Sequence, residues 1–80
     1  MDQHKIHHLQ PKVRIGKAGI SKGIIEEANQ HLKKSKLVKV RLLKSFLTIH
    51  DSTDVVKHLE DKTQSSCVQH RGNTIVLYKP

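Results

Sequence analysis

Residues 14–25 read RIGKAGISKGII, and they place two glycines between a short strand-like run and the start of a helical pattern. Gly16 and Gly19 bracket Lys17 and Ala18, so that a lysine lies near the tip of the intervening turn. Glycine loses more backbone freedom on folding than any other residue, so two glycines so close together need a structural or functional reason. The segment is either a plain tight turn or a loop whose backbone approaches phosphate groups.

The residues before this loop predict a strand, and those after it predict a helix. Val13 and Ile15 alternate with Lys12 and Arg14, which is typical of a half-buried strand over residues 12–15. From Ser21, the expected N-cap, apolar residues recur at helical spacing, and lysines follow at the end that suits the negative pole of a helix dipole. We assign the apolar positions of this helix to the core: Ile24, Ile25, Ala28 and Leu32.

The remaining elements alternate between strand and helix patterns. Residues 37–44 (LVKVRLLK) form the second predicted strand, with Val38, Val40 and Leu42 facing the core and Lys39 and Arg41 on the opposite face. A second helix is expected over residues 53–63 behind a Thr or Asp cap. Two closing strands, CVQH and TIVLYK, are joined through the Arg71-Gly72-Asn73 turn.

The element order β-α-β-α-β-β predicts the fold class. It is a mixed α/β (α+β) two-layer sandwich, in which a four-stranded sheet carries helices on one face and leaves the other face free. We expect one domain over residues 1–80. Residues 1–10 are expected to form only a short or degenerate N-terminal helix that Pro11 closes off.

Charge is the strongest global signal in the sequence. The chain has 15 Lys and Arg against 7 Asp and Glu, a net charge of +8. Residues 1–46 hold 11 basic and 3 acidic groups, whereas residues 47–80 hold 4 of each, so the first half carries the whole excess. A segregated positive charge indicates a polyanionic partner, and nucleic acid is favoured over an acidic membrane.

The few aromatic residues restrict how such a partner could be recognised. Phe46 and Tyr78 are the only ones, which is too few for a platform that stacks successive bases. Tyr78 is expected to pack at a strand end rather than to stack on a base. Recognition should therefore rest on backbone amides, phosphate contacts and shape. The loop fits this mode, because a helix N-terminus with free N–H groups attracts anions and Lys17 and Lys22 add positive charge.

Three segments together resemble the YhbY-type CRM domain, a family named for chloroplast RNA splicing and ribosome maturation. They are VRIGKAGISKGIIEE, LVKVRLLK and VQHRGNTIVLYKP, and the match as a whole covers about residues 12–80 in the family's order. Besides the loop residues, the matching positions are Gly23, Lys39, Val40, Arg41, Gly72, Thr74, Val76, Leu77, Tyr78 and Lys79. The family usually has a full helix before the first strand, so the short, histidine-rich residues 1–10 depart from its pattern.

The resemblance implies a KH-like fold, similar to the C-terminal domain of bacterial translation initiation factor three, and RNA binding through a GxxG loop. Prokaryotic members are tied to pre-ribosomal particles and plant members to intron splicing. We therefore expect a cytoplasmic, monomeric RNA-binding protein that acts on ribosomal or precursor RNA during ribosome assembly, with a precursor of the large subunit as one partner. The predicted RNA-binding residues are Lys12, Arg14, Gly16, Lys17, Ala18, Gly19, Lys22, Lys39 and Arg41.

Other classes of function have weaker support. His4, His7 and His8 have the spacing of a helical metal site but lack a fourth ligand, and the acidic pairs Asp51/Asp54 and Glu60/Asp61 lie among solvated charges. We expect no enzyme activity, no metal, no cofactor and no membrane association. The lone Cys67 excludes an intramolecular disulfide and fits a reducing compartment. The alternative function is a structural or assembly protein that docks constitutively on a ribonucleoprotein, or a factor that binds transfer or intron RNA.

Overall fold

A computed structural model describes residues 10–80 of the chain. Apart from Gln10, the expected N-terminal helix and the histidine cluster lie outside these residues. The described elements are β1 (Pro11–Ile15), α1 (Lys22–Ser35), β2 (Leu37–Leu42), α2 (Lys44–Leu47), α3 (Ser52–Thr63), β3 (Ser66–Arg71) and β4 (Thr74–Tyr78).

The four strands form one sheet in the order β1-β2-β4-β3. β1 lies parallel to β2, with Arg14 opposite Arg41, and β4 is antiparallel to both of its neighbours. Because β1 and β2 are parallel, the loop after β1 and the segment after β2 leave the sheet at the same edge. The β3–β4 hairpin also turns there, since the Leu42 amide donates to the Asn73 carbonyl at 2.7 Å.

The main core lies between the sheet and its two long helices. Val13, Ile15, Val38, Val40 and Leu42 pack in one cluster with apolar residues of both helices, among them Ala28, Leu32, Val55 and Leu59. The predicted two-layer α/β fold with helices on one face is confirmed, as are the core assignments in α1 and the strand alternation. A smaller cluster on the opposite face joins Leu37, Val76 and the half-buried Tyr78, so that Tyr78 packs as predicted.

Polar side chains cap the two long helices. The Ser21 hydroxyl accepts from the Ile24 amide at 3.2 Å, as predicted, and the Asp51 carboxylate accepts from the Thr53 amide at 2.7 Å. Each of these contacts satisfies one of the N–H groups that helix geometry leaves unpaired. At their other ends, α1 and α3 stop at Lys36 and Gln64, both of which have left-handed backbone conformations.

Sequence patterns missed one element. The alternating pattern predicts the second strand over residues 37–44, but the strand ends at Leu42, and residues 44–47 form the short helix α2. Two adjacent leucines extend the apolar run beyond the last residue that pairs with a neighbouring strand. The Leu43 amide instead donates to the Ile15 carbonyl at 2.8 Å and turns the chain away, which lets Phe46 enter the core.

Within residues 10–80, no helix is long and apolar enough to cross a membrane.

Candidate nucleic-acid interface

The loop that follows β1 is a hydrogen-bonded turn. The Gly19 amide donates to the Gly16 carbonyl at 2.8 Å, and Gly19 has a φ of +78°, which L-residues rarely adopt. A Cβ on Gly16 would lie 3.0 Å from Leu43 Cδ1, so the chain passes close to the start of α2 at this point. The two glycines therefore serve the turn itself, and they also hold Lys17 and Ala18 exposed at its tip.

Phe46 lies on the core side of this loop. Its ring is 3% exposed and stacks on His50 with a centroid separation of 4.4 Å. A Cβ on Gly19 would lie 3.9 Å from Phe46 Cε1, so the ring faces the turn with room for about one methyl group between them. Sequence reasoning gave Phe46 no role. Leu43, Phe46 and Leu47 have helical spacing, which could have indicated that Phe46 is buried. The strand pattern that runs up to Leu43 concealed that spacing.

The first turn of α1 starts just beyond the loop. Helix geometry leaves the first amides of α1 without an acceptor in the preceding turn, and the Ser21 hydroxyl satisfies only that of Ile24, so the amides of Lys22 and Gly23 have no acceptor within the helix. These N–H groups and the positive end of the helix dipole lie beside the exposed Lys22 side chain. Amides, dipole and lysine together make an environment that favours an anion.

Three arginines form a row across the free face of the sheet, at the edge that carries the loop. Arg14 pairs with Arg41, Arg41 with Thr74, and Thr74 with Arg71, so the row crosses all four strands. Neighbouring strands lie about 4.8 Å apart, so Arg14 and Arg71 begin about 14 Å from each other. All three arginines are exposed. We call Arg14, Arg41 and Arg71 the arginine row, and the row with the loop and Lys22 the loop edge.

The structure separates the predicted site residues into two groups. Gly16, Lys17, Ala18, Gly19, Lys22, Arg14 and Arg41 lie together at the loop edge. Lys39 is on the same face of β2 as Arg41 but two residues farther from the loop. It pairs with Pro11 and Val76 on the neighbouring strands and is half-buried. Lys12 falls at the register irregularity between Pro11 and Val13. Lys12 and Lys39 are therefore displaced from the loop, although they belong to the same sheet.

Arg71 is the site residue that sequence reasoning missed. It lies in the half of the chain whose net charge is zero, and it was assigned only to a hairpin turn. Its pairing with Thr74 shows that it ends β3, and the Thr74 hydroxyl donates to its carbonyl at 2.9 Å. Pairing between β4 and β2 then places it in the same row as Arg41.

The described residues offer little for other kinds of chemistry. Within residues 10–80 no group of three or more His, Cys, Asp or Glu side chains is arranged to hold a metal ion. Burial raises the pKa of the Cys67 thiol most, a hydrogen bond with the Gln69 backbone lowers it in part, and the charge of Glu60 raises it further. The thiol is therefore protonated at neutral pH, which disfavours a nucleophilic role.

Comparisons with known proteins agree with the sequence motifs. The model of the CRS1 / YhbY (CRM) domain matches residues 3–79. The chain is 39% identical to "Probable RNA-binding protein YqeI" of Bacillus subtilis over 94% of this chain and 76% of that protein. It is 34% identical to "Probable RNA-binding protein MJ0652" of Methanocaldococcus jannaschii, over 95% of this chain and 56% of that protein.

A solved structure has the same fold. The solution structure of the hypothetical protein SAV1595 from Staphylococcus aureus matches with a TM-score of 0.76 and 28% identity. The match covers 98% of this chain and 79% of that one.

Proposed function

The chain belongs to the CRS1 / YhbY (CRM) domain family, and from this membership we propose that it is an RNA-binding protein that acts without catalysis. The names of the related proteins YqeI and MJ0652 support RNA as the ligand. We further propose that the RNA is ribosomal or precursor RNA, bound in the cytoplasm by a monomer during ribosome assembly. The loop edge is the proposed contact surface.

The observation that carries this proposal is the convergence of three anion-binding features at one edge of the sheet. The turn exposes Lys17, the start of α1 offers the amides of Lys22 and Gly23, and the arginine row crosses the free face of the sheet at the same edge. Backbone amides and lysines bind phosphate oxygens without regard to sequence, and arginine adds bidentate contacts. Such a surface suits a nucleic-acid backbone better than a small acidic metabolite, because its cations extend over about 14 Å.

A second candidate is a protein that docks on a ribonucleoprotein and recognises protein as much as RNA. Exposed apolar side chains before and after α2 favour it, since Leu43 is 36% exposed and Ile49 is 72% exposed. Binding to purified RNA separates the two. Stable sedimentation with ribosomal particles but no measurable affinity for naked RNA would support docking on protein.

The loop is tested by Gly19→Asp with Gly19→Asn as its matched control. Both side chains tolerate positive φ better than most residues, so both variants should fold with similar strain. Only Asp adds a negative charge where phosphate is expected. We therefore expect Gly19→Asp to bind RNA about tenfold more weakly than Gly19→Asn, a difference of about 1.4 kcal/mol. Fluorescence anisotropy with a labelled oligonucleotide measures it, and equal affinities would refute the loop contact.

The location of the contact is tested by two charge reversals of equal size. Lys17→Glu with Lys22→Glu changes the loop edge, and Lys33→Glu with Lys34→Glu changes the opposite end of α1 by the same net charge. With an RNA of about four nucleotides, the length that a GxxG loop clamps, we expect the first pair to weaken binding by about tenfold or more, and by more than the second pair does. If the distal pair costs more affinity for this short RNA at matched salt, the GxxG segment is only a turn.

A further inference from the structure

A second cationic surface lies at the end of the molecule opposite the loop edge. A cleft of about 590 Å³ opens there between the ends of α1 and α3 and the end of β4. Thr63 and Gln64 line part of it. Four lysines also line it: Lys33, Lys36, Lys62 and Lys79. We call this feature the lysine cleft.

The fold brings these lysines together from distant parts of the sequence. Lys33 and Lys36 come from the end of α1, Lys62 from the last turn of α3 and Lys79 from the residue after β4. The Lys79 amide donates to the Lys36 carbonyl at 3.0 Å, which ties the C-terminal segment to the end of α1. Lys33, Lys36 and Lys62 are exposed, and Lys79 is half-buried.

Both non-glycine residues with positive φ within residues 10–80 line this cleft. Lys36 has a φ of 64° and Gln64 a φ of 53°, and each follows the last residue of a helix. Glycine is the usual residue at such a position, because an L-side chain is strained there. A lysine at residue 36 therefore lowers stability relative to glycine while it adds a positive charge to the cleft.

The helix dipole explains only some of these lysines. A cation in the last turn of a helix is stabilised by the helix C-terminus, and this accounts for Lys33 and Lys62. It does not account for Lys79, which follows a strand. Four ammonium groups around one cleft also repel each other, and an anion with several charges removes that repulsion.

A groove lies between the two long helices, beside the start of α1. Its lining includes Ser21, Lys22, Ile25, His58 and Lys62. It therefore shares Lys62 with the lysine cleft and Lys22 with the loop edge. The 14 residues of α1 span about 21 Å between these two ends at 1.5 Å per residue.

We propose that RNA held at the loop edge continues along the groove between α1 and α3, and that the lysine cleft binds a second set of its phosphates. This inference rests on the proposed function, because it extends the same RNA to a second site. A chain of phosphates is the anion that fits, since Lys22 lines the groove on the side of the loop edge and Lys62 on the side of the lysine cleft. The two sites should then bind one RNA molecule cooperatively, provided that the RNA is long enough to reach both.

The decisive variant is Lys36→Gly, compared with Lys34→Gln. Each removes one exposed positive charge from the same end of α1, but only Lys36 lines the cleft. Lys36→Gly should raise Tm, because it relieves the left-handed lysine. It should nevertheless weaken binding of a long oligonucleotide about fivefold at 0.1 M salt, since one phosphate contact contributes a slope of about −0.7. Lys34→Gln should change that affinity less than twofold.

Oligonucleotide length provides the second measurement. An RNA of about four nucleotides, the length that a GxxG loop clamps, should bind wild type and Lys36→Gly equally well. A longer RNA should distinguish them, and Lys79→Gln should behave like Lys36→Gly. Equal affinities of Lys36→Gly and Lys34→Gln for the long RNA would overturn the inference.

The loop variant separates failure of this inference from failure of the proposed function. If Gly19→Asp weakens binding but Lys36→Gly does not, the loop edge remains the RNA site and the cleft is excluded. If neither variant weakens binding, both proposals fail.

Discussion

Raising monovalent salt from about 50 to about 200 mM should weaken RNA binding about 300-fold, if about six phosphates are contacted at a slope of −0.7 each. The lysine cleft supplies some of the cations for these contacts. The loop edge supplies five more, all exposed: Arg14, Lys17, Lys22, Arg41 and Arg71. Each contact releases condensed counterions from the RNA, and this release is less favourable when salt is abundant. Equilibrium titrations at four or more salt concentrations give the slope of log K against log salt.

Two glutamine variants of equal charge show which cations produce the slope. Arg71→Gln should reduce its magnitude by about 0.7, because Arg71 belongs to the arginine row. Lys57→Gln should leave the slope unchanged, since Lys57 is exposed on α3 and lines neither the lysine cleft nor the groove. If the affinity of the wild type does not change with salt, its basic side chains make no phosphate contacts and serve only as hydrated surface charge.

Phe46→Ala should cost about 3–5 kcal/mol of a total stability that is about 4–12 kcal/mol for a chain of this length. Phe46 is 3% exposed and packs in the main core, so its removal leaves a cavity. The same ring lies under Gly19 and stacks on His50, so the turn should lose its support as well. Urea unfolding followed by circular dichroism measures the loss, and RNA titration below the unfolding range measures the effect on binding.

Leu59→Ala is the matched control for this variant. Leu59 is fully buried in the same core but lies in α3, away from the turn, and its truncation should cost about 2–5 kcal/mol. Where both variants remain folded, Phe46→Ala should weaken RNA binding and Leu59→Ala should not. Equal RNA affinities of the two folded variants would show that Phe46 serves stability alone.

The local pattern of residues predicted most of the secondary structure. Val13 and Ile15, then Val38, Val40 and Leu42, alternate with charged residues, and each of these five is buried in the structure. The helix after the loop was recognised because its N-cap and its apolar spacing are both local signals. α2 was missed for the same reason, since Leu42 and Leu43 continue the pattern of the strand before it.

The candidate site could be predicted only where its parts are neighbours in the sequence. Gly16, Lys17, Gly19 and Lys22 lie within one short segment, so their proximity follows from covalent connection. Arg71 could not be placed beside Arg41, because that depends on β4 lying between β2 and β3. The alternation of residues within one strand shows which face each residue takes, but not which strands are neighbours in the sheet.

Local sequence patterns are enough to predict the order of the strands and long helices, the faces that the strands present to the core and the excess of positive charge in the first half. How that charge is grouped depends on the folded chain, because strand order and helix ends are set by long-range packing. Arg71 joins the arginine row, and Lys62 and Lys79 join Lys33 and Lys36. Three of the four basic residues in the neutral half thus become part of cationic surfaces, a result that charge counted along the chain does not predict.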